Sequence, residues 1–260
     1  MNSLRKYASQ NIDVNQPKLE EFVSYVDSVG IEVKDGIKKI EVSYHRIKGI
    51  GRRYAGKYSM QRHSRAARKA AFEKIGHDID MVNAGFSILS LLLQEKNLID
   101  KFPMIDSLRK NPFLWRKMTS KYYGESLENS KWKIVEMLGG VLPTGDNPLL
   151  WKLMLEIIDA TKILVNISDY SEEMTLQLEN QESLFSKLFL ILSEEEDKLL
   201  QLLENKIKNN IDGCNISLRM FDGIELYIDK KNRLEVEKVL SEFMNDTGIE
   251  VIIKSRSKER

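Results

Sequence analysis

The chain has 260 residues, with 40 Lys+Arg against 39 Asp+Glu and a formal net charge of +1 at pH 7. Its composition, 42% hydrophobic and 30% charged, is that of a globular protein and excludes collagen-like, low-complexity and wholly disordered chains. A single cysteine excludes an internal disulfide framework and a cysteine zinc site. The chain has no apolar signal core and no bilayer-spanning stretch, so we expect an intracellular protein with no membrane partner.

The hydrophobic periodicity predicts short strands in two separated pieces of the chain, with a long helical insertion between them. In chain order it predicts a helix over 17–29, a strand over 38–47, a helix over 64–74, a strand over 77–82, a helix over 84–95, mainly helix over 99–209, a strand, turn and strand over 215–228, a helix over 233–245 and a strand over 249–254. Strands do not alternate with helices, which disfavours a parallel sheet. We therefore predict an α+β protein with a small antiparallel sheet.

A basic segment lies between residues 46 and 74. It holds ten Lys and Arg side chains against one acid, Glu73, and tyrosines are interleaved with them. Basic side chains with aromatic neighbours suit a sugar-phosphate backbone and stacked bases. The alternative interpretation is a solvated basic surface.

Three aspartates are the strongest candidates for chemistry. Asp78 and Asp80 lie on one face of a predicted strand, and Asp222 lies within an apolar hairpin. A carboxylate in apolar surroundings is costly unless it is paired or bound to metal. Two such acids brought together would suit Mg²⁺ or Mn²⁺, and two metals held by two aspartates catalyse phosphoryl transfer. The alternative is structural, because Asp-Gly is a strong hairpin signal and Asp78 can cap a turn.

Five segments in order resemble family A DNA polymerases, and still more the short family A-like polymerases of viruses and mobile elements. Gly51-Arg52 followed by Ser59-Met60-Gln61 is similar to the T-G-R…Q motif, with the glutamine nine residues after the arginine. Arg65 to Phe72 resembles the R-R-I-R-x-A-F stretch that follows this motif in the family. His77 to Leu89 resembles motif A, and Lys131 to Gly140 resembles the fingers helix of motif B. Leu218 to Leu226 resembles the motif C hairpin.

The resemblance implies a palm sheet with a fingers insertion, in which Asp80 and Asp222 hold two Mg²⁺ or Mn²⁺ ions. Asp78 is the alternative ligand from motif A. The resemblance also implies that four residues contact the incoming nucleotide: Lys131, Lys133, Gly85 and Gly140. It further implies that five residues contact the primer-template: Arg52, Arg53, Gln61, Arg65 and Arg68. The implied divisions are an N-terminal region over 1–45, a first palm part over 46–98, fingers over 99–210 and a second palm part over 211–260.

Three departures from the family pattern bear on function. Gly85 replaces the glutamate that excludes ribose, although a glycine there also suits close helix packing. Gly139 replaces the motif B tyrosine, and Phe221 replaces the motif C histidine. The length leaves no room for an exonuclease and no full thumb is evident, so we expect low processivity or a partner in a larger replication or transcription complex.

The sequence thus predicts a template-directed nucleotidyltransferase that acts on a DNA or RNA primer-template with dNTPs or NTPs, of viral, phage or plasmid origin. One alternative is a primase or RNA polymerase. Another is an inactive palm that serves as a nucleic-acid-binding subunit. An unrelated helical interaction protein is disfavoured by the ordered motifs.

Overall fold

The structure is a computed structural model, and it describes residues 16–34, 37–72, 76–167, 169–212, 215–220, 222–227 and 232–254. Phe221, at the motif C histidine position, lies outside the described residues. The helices are α1 (Gln16–Val29), α2 (Arg65–Phe72), α3 (Ala84–Glu95), α4 (Pro103–Lys110), α5 (Pro112–Tyr123), α6 (Leu127–Glu136), α7 (Pro148–Val165), α8 (Glu172–Glu179), α9 (Leu184–Asn210) and α10 (Arg233–Thr247). The strands are β1 (Ile31–Lys34), β2 (Ile37–Lys39), β3 (Tyr44–Arg46), β4 (Arg53–Ala55), β5 (Gly76–Met81), β6 (Asn215–Arg219), β7 (Gly223–Tyr227) and β8 (Val251–Lys254). This mixture of many helices with small antiparallel sheets confirms the predicted α+β class.

The largest sheet has four strands in the order β6-β7-β5-β8. Both β5 and β6 pair with β7 in antiparallel fashion, so strands from distant parts of the chain meet in one sheet. Three apolar side chains on one face of this sheet are fully buried: Ile79, Ile224 and Leu226. Two further antiparallel pairs join β1 to β2 and β3 to β4.

The chain divides into two compact units. The first comprises Met1–Asp80, Leu200–Phe243 and Val251–Arg260. Within its described part, one apolar face of α1 is buried: Leu19, Phe22 and Val26 join Met60 and Leu218 in one cluster. Ser64 caps α2, because its hydroxyl accepts a hydrogen bond from the N–H of Ala67 at 3.2 Å.

The second unit comprises Met81–Leu199 and Met244–Glu250, and it is mostly helical. The predicted helix over 84–95 is observed with those bounds as α3. The prolines that interrupt the helical pattern begin helices, since Pro103, Pro112 and Pro148 each occupy the first turn. Proline is favoured there because its missing N–H has no partner to lose. No helix in the described ranges is long and apolar enough to cross a bilayer.

The predicted continuous strand over 38–47 is wrong in its extent. The backbone forms β2 and β3 only at the two ends of that segment, and residues 40–43 make no ladder. Strand β1, which pairs with β2, was not predicted. Alternation of side chains indicates an extended backbone, but a ladder also needs a neighbouring strand in register.

Candidate functional site

The candidate site lies in the first unit, where β5 and β7 run side by side. The register pairs Asp80 with Gly223 and Asp78 with Glu225. Directly opposite residues share a face of the sheet, so Asp78, Asp80 and Glu225 lie on one face. The opposite face carries the buried Ile79. The two aspartates of β5 therefore lie on the face of the sheet opposite to Ile79, as the alternation of residues 77–81 predicts.

Asp80 lies closely against the backbone of β7. A side chain at Gly223 would place its Cβ 2.5 Å from Oδ1 of Asp80, and closer still to the carbonyl oxygen of Ile79. The other carboxylate oxygen of Asp80, Oδ2, forms an ion pair with Nζ of Lys254, at the end of β8. The Asp80 side chain is 16% exposed, which makes an unpaired charge expensive.

Asp222 lies in the tight connection between β6 and β7. The N–H of Met220 donates a hydrogen bond to the carbonyl oxygen of Gly223 at 2.8 Å, which closes the hairpin. This confirms the predicted hairpin, and Asp222 itself is exposed. Because Gly223 is the partner of Asp80 across the ladder, Asp222 is one residue away from that partner. The register thus brings the two predicted metal ligands to one end of the same strand pair.

A buried polar network supports the hairpin from behind. Gln61 is buried, and its Oε1 accepts from the N–H of Ala55 at 2.7 Å. Its Nε2 donates to the carbonyl oxygens of Arg53 and Arg219, at 3.3 and 3.1 Å. Gln61, expected from the resemblance to contact the primer-template, thus joins β4 to β6. Sequence reasoning did not identify this structural use of its amide.

Arg219 is the centre of this network. Its guanidinium lies 3.4 Å from the Glu204 carboxylate, and the backbone N–H of Arg219 donates to the Tyr44 hydroxyl at 2.9 Å. Burial raises the pKa of the Tyr44 hydroxyl, and the negative charge of Glu204 raises it further. The Tyr44 hydroxyl is the acceptor of the hydrogen bond from the backbone of β6. These contacts hold the end of β6 immediately before the Asp222 turn.

The basic segment is positioned by β4, α2 and the loop between them. Arg53 begins β4 and lies directly opposite Arg46 of β3. Arg52 precedes β4 and is half-buried, whereas Arg65 and Arg68 lie three residues apart on α2. A guanidinium N–H of Arg68 donates to the carbonyl oxygen of His63.

The predicted nucleotide-binding residues lie in the second unit. Lys131 and Lys133 are on α6, with Nζ of Lys133 3.7 Å from the Glu125 carboxylate and 4.9 Å from the Tyr123 ring centroid. Nζ of Lys131 lies 5.5 Å from the ring centroid of Trp132. Lys133 is thus paired within its own unit.

The two glycines predicted to border the nucleotide both have close neighbours. Gly140 has a left-handed φ of +88°, and a Cβ there would lie 2.6 Å from the ring of Phe185. A Cβ on Gly85 would lie 2.6 Å from Cδ1 of Leu138. Gly85 therefore has a close packing contact, in agreement with the interpretation that a glycine at this position suits close helix packing.

The candidate ligands of the site are carboxylate oxygens, which are chemically suited to a divalent cation. Within the described residues, no group of three or more His, Cys, Asp or Glu side chains is arranged to hold a metal ion. Magnesium in phosphoryl-transfer sites, however, is held by one or two carboxylates together with substrate phosphates and water. Asp80 and Asp222 supply two such carboxylates, and Asp80 already attracts a cation, the ammonium of Lys254.

Comparisons with known proteins connect this geometry to one fold. No protein-family model matches the chain, and no curated protein does. Among solved structures, the chain is similar to the POL domain of Pol1 from M. smegmatis, in a complex with DNA primer-template and dNTP. The TM-score is 0.60 and the identity 11%, and the match covers 92% of this chain and 50% of that chain. The chain thus has a polymerase-like fold and spans about half the length of that polymerase chain.

Proposed function

We propose that this protein is a template-directed nucleotidyltransferase of the DNA polymerase type. The observation that supports the proposal is the β5–β7 register, in which Asp80 pairs with Gly223, the residue that follows Asp222. Two acids at that place are the ligands that the resemblance to motifs A and C implies. The likeness to the POL domain of Pol1 supports the proposed type of activity at the level of the fold.

In this proposal the chain's own groups position the reactants. Asp80 and Asp222 bind the cations, and the network around Arg219 keeps the Asp222 hairpin in place. Arg52, Arg53, Arg65 and Arg68 bind the phosphates of the primer-template, while Lys131 attracts the triphosphate. A bound Mg²⁺ would lower the pKa of the primer 3′-hydroxyl and neutralise charge on the triphosphate.

Primer extension tests the proposal. The full chain is supplied with Mg²⁺ or Mn²⁺ and labelled dNTPs or NTPs on DNA and RNA templates. We expect Asp80→Asn and Asp222→Asn each to lower extension by about 10³-fold or more, since loss of a metal ligand removes several kcal/mol of charge stabilisation. Asp212→Asn removes an exposed carboxylate two residues beyond the end of α9 and serves as the matched control.

The binding of primer-template, measured by fluorescence anisotropy, should be unchanged in both catalytic variants. This separates loss of chemistry from loss of folding or of nucleic-acid binding. Extension by Asp222→Asn at the rate of Asp212→Asn would contradict the proposed site.

A second candidate function is nucleic-acid binding without catalysis. The Lys254–Asp80 ion pair favours it, because an ammonium already neutralises the carboxylate that a metal would need. Under this alternative the wild-type chain binds primer-template but does not extend it, whichever nucleotide and whichever metal are supplied. The same experiment therefore discriminates between the two functions.

A further inference from the structure

Lys254 is a residue of the site that neither the sequence pattern nor the resemblance identified. It is the last residue of β8, the edge strand beside β5 in the four-stranded sheet. Its ammonium pairs with Oδ2 of Asp80, while Oδ1 of the same carboxylate lies against Gly223. Both oxygens of the carboxylate are therefore in close contact with the protein.

The burial of the two partners is unequal. The Asp80 side chain is 16% exposed and the Lys254 side chain 37% exposed. A largely buried carboxylate needs a counter-charge. The lysine, a compact ammonium on a flexible stem, is the more exposed of the two partners.

We propose that Lys254 is the resident counter-cation of Asp80 and competes with a divalent cation for its carboxylate. This inference rests on the proposed function for the role of Asp80 as a metal ligand. Two cations on one carboxylate repel each other, so each lowers the affinity of the site for the other. Because the coupling between two binding events is reciprocal, entry of the metal releases the end of β8.

The coupling predicts opposite effects on the metal-free and the metal-bound protein. Removal of the Lys254 charge leaves Asp80 without this counter-charge and destabilises the protein without metal. The same change removes the competitor and strengthens metal binding. A lysine that only attached β8 to the sheet would produce the first effect and not the second.

The test measures Mn²⁺ binding to the full chain by the electron paramagnetic resonance of free Mn²⁺, without nucleotide or nucleic acid. We expect Lys254→Gln to lower the Mn²⁺ dissociation constant by about tenfold, a typical size for such a coupling. Lys254→Arg, which keeps the charge, should bind Mn²⁺ as the wild type does. Lys238→Gln removes an exposed positive charge of the same unit and controls for the change in net charge.

Thermal unfolding gives the second readout. Without metal, Lys254→Gln should melt below the wild type, and saturating Mn²⁺ should raise its melting temperature by more than it raises that of the wild type. Asp80→Asn should lose the Mn²⁺ site, which assigns the binding to that carboxylate.

The failure of this inference is distinguishable from the failure of the proposed function. Mn²⁺ affinity that depends on Asp80 but is equal or weaker in Lys254→Gln overturns the competition and leaves the polymerase proposal intact. Tighter binding in Lys254→Gln, together with no primer extension by the wild type, upholds the competition and overturns the catalytic function. Absence of Mn²⁺ binding in the wild type and in Lys254→Gln overturns the inference.

Discussion

Replacement of Gly223 by alanine tests the geometry of the site most directly. The new Cβ would lie 2.5 Å from Oδ1 of Asp80, against about 3.4 Å for an ordinary contact, so the carboxylate has to retreat by about 0.9 Å. The carbonyl oxygen of Ile79 is closer still, and it belongs to the backbone of β5. It cannot move without disturbing the β5–β7 ladder.

The magnitude follows from these two contacts. Overpacking in a well-packed region costs about 1–3 kcal/mol, and a backbone neighbour puts this case toward the upper end. Replacing glycine by alanine also lowers the entropy of the unfolded chain, which stabilises the folded state by about 0.4–1 kcal/mol and offsets part of this cost. We therefore expect Gly223→Ala to lower the free energy of unfolding by about 2 kcal/mol.

Urea denaturation measures this loss, and Gly139→Ala is the matched control because nothing lies within 4 Å of its new Cβ. With a slope of about 2–3 kcal/mol per molar urea, the midpoint of Gly223→Ala should fall by about 0.7–1 M. The Mn²⁺ dissociation constant should rise as well, since Asp80 is displaced. Equal stability of the two alanine variants would refute the close approach of Asp80 to β7.

Three further predictions concern nucleic acid, sugar and pH. The double variant Arg65→Ala, Arg68→Ala should lower the slope of log affinity against log salt by about 1–2 in anisotropy titrations, and an unchanged slope would make the segment a solvated surface. The wild type should incorporate dNTPs and NTPs with efficiencies within about 100-fold of each other in single-nucleotide assays. Strong rejection of NTPs would mean that a residue other than the one at position 85 excludes ribose. Burial raises the pKa of Glu156 above 4.5, so its contribution to stability is present below that pH and is lost as pH rises through the folded pKa. In urea titrations the free energy of unfolding of Glu156→Gln should therefore rise relative to that of the wild type between pH 4 and pH 7. A difference in free energy that does not change with pH would contradict this.

Local patterns predicted the parts of the fold that depend on neighbouring residues. Helix α3 and the β6–β7 hairpin are encoded within a few residues by apolar spacing and by a turn. The acids of β5 follow from strict alternation over 77–81, which places Asp78 and Asp80 on one face.

Patterns of this kind could not predict contacts between distant segments. Lys254 is one of 40 Lys and Arg residues, and nothing nearby in the sequence connects it to Asp80, far upstream in the chain. Gln61 was likewise found through a motif, but its buried amide contacts Arg219, 158 residues away. Charge pairing of this range depends on the order of strands in the sheet, which the sequence pattern leaves open.

Asp222-Gly223 shows why a turn signal and a catalytic motif are not exclusive interpretations. The hydrogen bond from Met220 to Gly223 closes the hairpin, as the turn interpretation requires. The same glycine also leaves the space that the Asp80 carboxylate occupies, because any side chain at 223 would collide with it. A hairpin alone needs glycine only for its backbone conformation, whereas this glycine has its close contacts across the ladder. The contact with Asp80 therefore ties residue 223 to the face of the sheet that carries the aspartates of β5, and a variant that keeps the turn but fills this space should disturb the site before it disturbs the hairpin.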